Sequence, residues 1–195
     1  MKKEGESKTL VSVRDANAGG SNYIGSKIGT VNNNAKIREP FEQLIHLKGK
    51  LELECNAKEK ISTTIDSLRK YESPKVLDGI VGLESKLDHA GRSTEKHYAL
   101  DAKEAFAKFL AEWRFYESAQ AMIAFCMAAI ESEYQFSVIP KISKFDHDEI
   151  NEIIREKVIV PLLNDMSGGV LYVDTKIVYG MMYWLADQCY IRWHQ

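Results

Sequence analysis

The sequence predicts an all-α domain that follows a short N-terminal arm. From Phe41 onward, apolar residues recur at steps of three and four, the spacing of one face of an α-helix. Residues 93–138 contain neither Gly nor Pro, the two residues that most disfavour a helix interior. Residues 1–40, in contrast, show no helical spacing. We therefore expect a multi-helix domain with a long buried central helix over residues 41–195, and a separate arm over residues 1–40.

The arm differs from the body in charge and in composition. Residues 1–40 carry seven basic and four acidic side chains, whereas the rest of the chain has a net charge of -5. Residues 19–34 are rich in Gly, Ser and Asn, which bury too little apolar surface to offset the entropy of ordering. A flexible tail is one interpretation. The repeated Ile-Gly pairs support another interpretation, in which the arm forms short pieces of β structure on a partner or between copies. That oligomerisation arm would use Tyr23, Ile24, Ile28 and Val31.

The first helical pattern extends from Phe41 to about Tyr71, as one long helix or as the first arm of a hairpin. Ser73-Pro74 ends it, because the residue before proline avoids helical backbone angles. A short apolar segment then leads to Gly91, which predicts a helix stop. The predicted buried stripe of the first pattern consists of Phe41, Leu44, Ile45, Leu47, Leu51, Leu53, Ile61, Ile65, Leu68 and Tyr71.

The next segment predicts the central helix of the domain. Ser93 or Thr94 can cap it, and the following residues up to Val138 form either one helix of about 40 residues or two with a bend. Its second half, residues 115–130, is apolar on most faces, which is typical of a helix buried on all sides. Cys126 in this half is most simply a small core residue.

The C-terminal third predicts two further helices. Asp146 stands three residues before Glu149, the spacing of a capping box, and this helix ends near Asn164. Residues 170–173 are predicted to be extended, and Asp174 or Thr175 begins the last helix. The chain closes on CYIRWHQ. An aromatic residue so near the terminus indicates that this end packs into the domain or docks on a partner.

Composition narrows the functional class. A net charge of -2 and a pI near 6.2 argue against coating of nucleic acid by bulk positive charge. Three cysteines far apart encode neither a disulfide framework nor a paired zinc site, which predicts a reducing, cytoplasmic location. No uninterrupted apolar run reaches the roughly 18–20 residues of a membrane span. We therefore expect no membrane association, no metal and no cofactor.

Two alternatives involve nucleic acid. Asp78, Glu84 and Lys86 match the acid and E-x-K pattern of metal-dependent nucleases. Those sites place the carboxylates on adjacent strands, however, and this segment reads as helix. The second alternative is a nucleic-acid sensor that uses the seven basic residues of the arm, where Tyr23 is the one aromatic residue available for stacking.

Three blocks carry a family resemblance: GLESKLDHAGR at 82–92, EWRFYESAQAMI at 112–123 and YGMMYWLADQCYIRW at 179–193. In this order and spacing they resemble the helical C-terminal associated domains of bacterial ABC-three-component defence systems, over about residues 40–195. The resemblance implies an adaptor that works with an ABC or SMC-like ATPase and a small middle component. In that family the domain commonly follows an effector, and a 40-residue arm is too short to be one. Any effector would then be another polypeptide.

The resemblance implies a non-enzymatic adaptor, assembly or sensing subunit of an anti-phage complex, itself a homo-oligomer. It also implies that Phe115, Tyr116, Glu117 and Gln120 form the core of the family fold. The residue types that dominate interfaces indicate four partner-binding positions. These positions are Arg92, Tyr183, Arg192 and Trp193. For Arg92, a side chain that caps the preceding helix is the competing interpretation.

Overall fold

The structure is a computed structural model, and it describes residues 42–75 and 79–193. These residues form helices and connections without a strand, which confirms the all-α prediction. The α-helices are α1 (Glu42–Ala57), α2 (Asp66–Arg69), α3 (Leu83–His89), α4 (Lys96–Trp113), α5 (Glu117–Glu133), α6 (His147–Ile154), α7 (Val160–Met166) and α8 (Thr175–Asp187). Two π-helical segments, Tyr134–Val138 and Arg155–Ile159, continue α5 and join α6 to α7.

The first helix is shorter than the apolar pattern predicts. α1 ends at Ala57, and Lys58 follows with a positive φ of 56°. Helical geometry returns only in the short α2 and the 3-10 turn Lys70–Glu72. The prediction of a helix reaching Tyr71 is therefore wrong. The backbone between α1 and α2 forms hydrogen bonds with the distant side chain of Gln120 instead. This amide accepts from the N–H of Ile65 and donates to the carbonyl of Thr63.

Two residues of the predicted buried stripe lie on the surface of α1. Ile45 is 57% exposed and Leu53 is 69% exposed, whereas Leu44 and Leu51 are buried. The buried face also contains Glu54, a charged residue that an apolar pattern cannot include. Its carboxylate accepts hydrogen bonds from the backbone N–H and the hydroxyl of Ser118, at 3.2 and 2.7 Å. This contact at the start of α5 sets the rotation of α1 and leaves Ile45 and Leu53 outside.

The stretch without Gly or Pro forms two helices rather than one. α4 ends at Trp113, and Tyr116 has extended backbone angles before α5 begins. Tertiary hydrogen bonds satisfy the carbonyls freed by this break. Gln120 donates to the carbonyl of Arg114 at 2.6 Å, and the N–H of Ile61 donates to that of Phe115 at 2.8 Å. Among the residues expected in the family core, Gln120 is buried, Tyr116 is half-buried, and Phe115 and Glu117 are exposed.

The predicted central helix is α5, which packs against α1, α2 and α8. Met122, Ile123, Cys126 and Ile130 are among its fully buried side chains. By length and composition, the helical segment Glu117–Lys141 is also apolar enough to cross a membrane, which corrects the prediction that no such segment exists. Its Glu, Ser and Gln residues interrupt the apolar run, so the sequence shows no continuous apolar stretch of that length. A helix in a soluble core passes the same test, and this segment contributes many of its side chains to the core.

Among the described helices, α4 and α8 make the most extensive contact. Gly180, in the middle of α8, lies where a Cβ atom would stand 2.3 Å from the carbonyl oxygen of Ala102 and 2.7 Å from Cβ of Phe106. A side chain of any size would therefore separate the two helices. This glycine is what allows the backbones of α4 and α8 to approach.

The ends of the later helices follow the predicted signals. Asp146 and Glu149 form a reciprocal capping box at the start of α6, and the side chain of Asp174 accepts from the N–H of Ile177 at the start of α8. The connection from α7 to α8 contains residues 170–173, which form no strand within the described ranges. The sequence predicts these residues to be extended, and they form a loop in which Leu171 and Val173 are buried in the core.

Candidate ligand and partner pocket

A glycine turn directs Arg92 into the domain. Gly91 follows α3 with a φ of +70°, and the N–H groups of Gly91 and Arg92 donate to the carbonyls of Asp88 and Leu87. This pair of bonds is the Schellman arrangement that closes a helix, as the sequence predicts for Gly91. A Cβ atom on Gly91 would lie 3.3 Å from the ring of His147. The turn is thus held against the start of α6, and the next side chain points inward.

The Arg92 side chain binds two neighbours and does not cap α3. Its Nη1 atom donates to Oε1 of Glu95 at 2.5 Å and to Oδ1 of Asn151 at 2.7 Å. The residue is only 3% exposed. The interpretation of Arg92 as a side-chain cap of α3 is therefore wrong, because its own backbone N–H performs that role. Fully buried arginines are rare and almost always paired, and Glu95 supplies the pairing carboxylate here.

The segment after α8, residues 188–193 and called here the C-terminal segment, folds back on the domain and brings Trp193 beside Arg92. Trp193 is 5% exposed, and its ring lies 5.9 Å from the Arg92 guanidinium carbon. The indole also packs against Tyr183 and edge-on against Tyr134, with centroid distances of 5.8 and 6.4 Å. Of the two alternatives for this terminus, the structure shows packing into the domain.

Lys86 fixes the point where this segment leaves α8. Lys86 is only 4% exposed. Its ammonium donates to the carbonyls of Ala186 and Asp187 at 2.9 and 2.6 Å. It also donates to Sγ of Cys189 at 2.9 Å. A lysine at the end of a helix stabilises the unpaired carbonyls there. Because Cys189 has a positive φ of 60°, the chain turns sharply at this position and returns toward Arg92.

A cavity of about 270 Å³ lies between the α3–α4 turn, α4, α6, α8 and the C-terminal segment. Its polar side is formed by Arg92, Glu95 and Asn151. Its other walls are largely aromatic, with Tyr98, Tyr179, Tyr183 and Trp193. Tyr98 is 42% exposed and stands at the mouth, edge-on to the other two tyrosines at centroid distances of 5.7 and 6.3 Å.

Two buried polar atoms lack a hydrogen-bond partner in the part of the chain that the structure describes. They are the indole nitrogen of Trp193, which lines the cavity, and the hydroxyl of Tyr134, which packs edge-on against Trp193 but does not line the cavity. Buried polar groups in proteins are nearly always paired, so an exception calls for an explanation such as a ligand or an ordered water. Burial raises the pKa values of Tyr134 and Tyr183 well above that of a free tyrosine, so both phenols are neutral and can donate.

The structure brings together three of the four residues predicted to bind a partner. Arg92, Tyr183 and Trp193 line the same cavity, although all three are buried. Arg192 is half-buried and does not line it. The partner-binding role itself remains a prediction. The oligomerisation residues Tyr23, Ile24, Ile28 and Val31 lie outside the described residues.

The nuclease alternative gains no support from the described residues. Asp78 lies outside them, Glu84 is exposed in the first turn of α3, and Lys86 is buried and committed to the end of α8. Two residues two positions apart on a helix point in different directions, so Glu84 and Lys86 do not share a site. Within residues 42–75 and 79–193, no group of three His, Cys, Asp or Glu side chains is placed to hold a metal ion.

Six residues that line the cavity were not identified from the sequence as site residues: Glu95, Tyr98, Asn151, Ile154, Tyr179 and Met182. Glu95 stands out only as an acid near a helix start, and Asn151 belongs to a helix 56 residues further along the chain. Nothing local in the sequence pairs them with Arg92. Tyr179 and Tyr183 are four residues apart on α8, however, and that spacing places them on one face of a helix.

Comparison with protein families matches residues 82–193 to C-terminal domain 9 of the ABC-three component (ABC-3C) systems. The matched region begins just before α3, ends at Trp193 and covers more than half of the chain. It includes every residue that lines the cavity. Searches of curated proteins and of solved structures found no match. The resemblance seen in the three sequence blocks is thereby confirmed, and the chain belongs to the C-terminal domain 9 family of the ABC-three-component systems.

Proposed function

We propose that this chain is a non-enzymatic adaptor of a cytoplasmic anti-phage complex and acts through contacts with other proteins. The family match is the observation that carries the proposal, because membership of a multi-component system implies protein partners. Within that system, we assign to this chain the role of linking an ABC or SMC-like ATPase to a second component.

An exposed apolar stripe on α1 supports the proposal. The stripe consists of three residues at successive steps of four, Ile45, Gly49 and Leu53, and this spacing places them on one face of the helix. Both apolar side chains are more than half exposed, and nothing lies within 4 Å of the position of a Cβ atom on Gly49. A glycine between two apolar residues allows another helix to approach closely. We assign this α1 stripe to contact with an apolar helix of the ATPase component.

The α1 stripe lies outside the region that matches the family. The match begins at residue 82, whereas α1 ends at Ala57. The stripe is therefore suited to a contact specific to this system, while the matched region supplies the features that the family shares. An exposed apolar face is also costly in water, which favours a surface that is covered in the assembled complex.

The test is the affinity of the chain for the ATPase component of its own system. We expect the double variant Ile45→Ser/Leu53→Ser to bind at least tenfold more weakly, because apolar anchors contribute about 1–2 kcal/mol each to an interface. The matched control is Val81→Ser/Tyr172→Ser, which removes two apolar side chains that are 85% and 78% exposed elsewhere on the domain. Binding of the control should equal that of the wild type. Equal affinities for all three proteins would refute the assignment of the stripe.

A second assay addresses the absence of catalysis. The purified chain is incubated with Mg²⁺ and duplex DNA, and we expect no cleavage. Cleavage that disappears in Glu84→Ala would contradict the adaptor proposal and restore the nuclease alternative, whereas the proposal predicts that this exposed residue is dispensable.

A further inference from the structure

We infer that the cavity beside Arg92 binds a small molecule in which a flat aromatic ring is joined to an oxyanion, either a carboxylate or a single phosphate. The inference goes beyond the adaptor proposal and does not depend on it. It would make the chain a sensor as well as a link between partners. The polar side and the aromatic side of the cavity supply separate arguments.

The guanidinium of Arg92 has an unused edge. Nη1 makes both of the side-chain hydrogen bonds, to Glu95 and Asn151. Nε and Nη2 make none with any described residue, although the side chain is 3% exposed and lines the cavity. The Nε and Nη2 donors are parallel and match the two oxygens of a carboxylate or phosphate. A free edge of this kind indicates an oxyanion ligand.

The surrounding polar groups also favour a ligand rich in acceptors. The indole N–H of Trp193, which lines the cavity, is a donor only. The neutral phenol of Tyr134, which packs against Trp193 but does not line the cavity, can also donate. Neither has a partner among the described residues, and both are buried. Together with Arg92, the cluster therefore holds more donors than the protein satisfies. An oxyanion accepts several hydrogen bonds at once and would correct this imbalance.

The aromatic walls of the cavity favour a flat ring. Tyr179 and Tyr183 are nearly parallel, with an interplanar angle of 25° and a centroid distance of 6.3 Å. Tyr98 and Trp193 extend the aromatic surface toward the mouth and toward Arg92. Aromatic faces and edges of this kind bind planar rings by stacking and edge-on contact. A cavity of about 270 Å³ limits the ligand to a small molecule.

Glu95 limits the charge that the ligand can carry. Its carboxylate already neutralises the Arg92 guanidinium from the Nη1 side, so the Arg92–Glu95 pair has no net charge. Each negative charge on the ligand then adds repulsion from Glu95. We therefore expect an aromatic carboxylate or a nucleoside monophosphate to bind more tightly than a nucleoside triphosphate.

The test is isothermal titration calorimetry on the full chain with defined probes. The aromatic carboxylates are indole-3-acetate and 4-hydroxyphenylacetate, and the nucleotides are AMP, GMP and ATP. Four further compounds each represent one half of the ligand. Indole and adenosine supply the ring without the oxyanion, and acetate and inorganic phosphate supply the oxyanion without the ring. We expect at least one carboxylate or monophosphate to bind, and each half to bind at least tenfold more weakly. The class that binds identifies the source. Absence of binding by every ring–oxyanion probe, or equal binding by a half probe, would overturn the inference.

Two variants locate the binding site. Arg92→Gln removes the free Nε and Nη2 edge, and Tyr98→Ala removes an aromatic wall at an exposed position where little folding energy is at risk. Both should weaken binding at least tenfold. Their controls are Arg69→Gln, a surface arginine on α2, and Tyr172→Ala, a tyrosine that is 78% exposed outside the cavity. Unchanged affinity in Tyr98→Ala would overturn the assignment even if Arg92→Gln does not fold.

Discussion

At the scale of single residues, buried polar side chains determine where the helices end and how they are oriented. Glu54, Lys86 and Gln120 are each buried, and each bonds to a helix end or an inter-helix connection distant in sequence. The amide of Gln120 joins three backbone groups, two in the connection from α1 to α2 and one in the connection from α4 to α5. Such groups stabilise the fold only while every partner is in place.

Replacement of Gln120 tests this role. Gln120→Leu keeps the volume apolar but leaves the N–H of Ile65 and the carbonyls of Thr63 and Arg114 without their partner. We expect a loss of about 3 kcal/mol in the free energy of unfolding, measured by urea denaturation with circular dichroism. Gln43→Leu on the exposed face of α1 is the control and should change stability by less than about 0.5 kcal/mol. A similar small change in both variants would contradict this role of Gln120.

At single residues, the sequence predicts the features that depend on neighbouring residues, such as helix caps and stops. It does not predict contacts between residues that are distant in the chain. The Gly91 stop, the Asp146–Glu149 capping box and the Asp174 cap follow from neighbouring residues, and all three are confirmed. The bonds of Arg92 to Glu95 and Asn151 depend on α6 packing beside the α3–α4 turn. No short-range pattern contains that information, so only part of the cavity was identified.

At the scale of elements, the fold depends on how closely α4 and α8 approach. Their contact is allowed by Gly180, which the sequence places within a strongly apolar helix. A glycine inside a predicted helix is a recognisable signal of close packing. The break between α4 and α5 is different, because no residue there favours a turn. A long-range hydrogen bond from the N–H of Ile61 to the carbonyl of Phe115 stabilises the break, and the side chain of Gln120 binds the nearby carbonyl of Arg114. Tertiary context of this kind overrides helix propensity.

Two glycines in helices give a matched pair of variants. In Gly180→Ala, the new methyl group would overlap the carbonyl of Ala102, and we expect a loss of at least about 3 kcal/mol in the free energy of unfolding. In Gly49→Ala, the methyl group meets nothing within 4 Å, and we expect a gain of about 0.5–1 kcal/mol from helix propensity. Urea denaturation measures both. A stabilised Gly180→Ala would show that the α4–α8 packing described above is wrong.

At the scale of the whole described chain, two features are separated along the sequence. The cavity is built entirely from residues in the family-matched region, whereas the α1 stripe precedes it. This separation suits an adaptor with one surface for a partner and one site for a small molecule. The predicted all-α class is confirmed because helical spacing covers most of the body, while the cavity arises only once α3, α4, α6, α8 and the C-terminal segment meet.

The most direct test of the adaptor proposal is native mass spectrometry of this chain mixed with the ATPase and the small middle component of its system. An adaptor binds two partners at once, so we predict one assembly that contains all three proteins. Without this chain, the ATPase and the middle component should remain separate. An assembly of those two proteins that forms equally well in its absence would contradict the proposal.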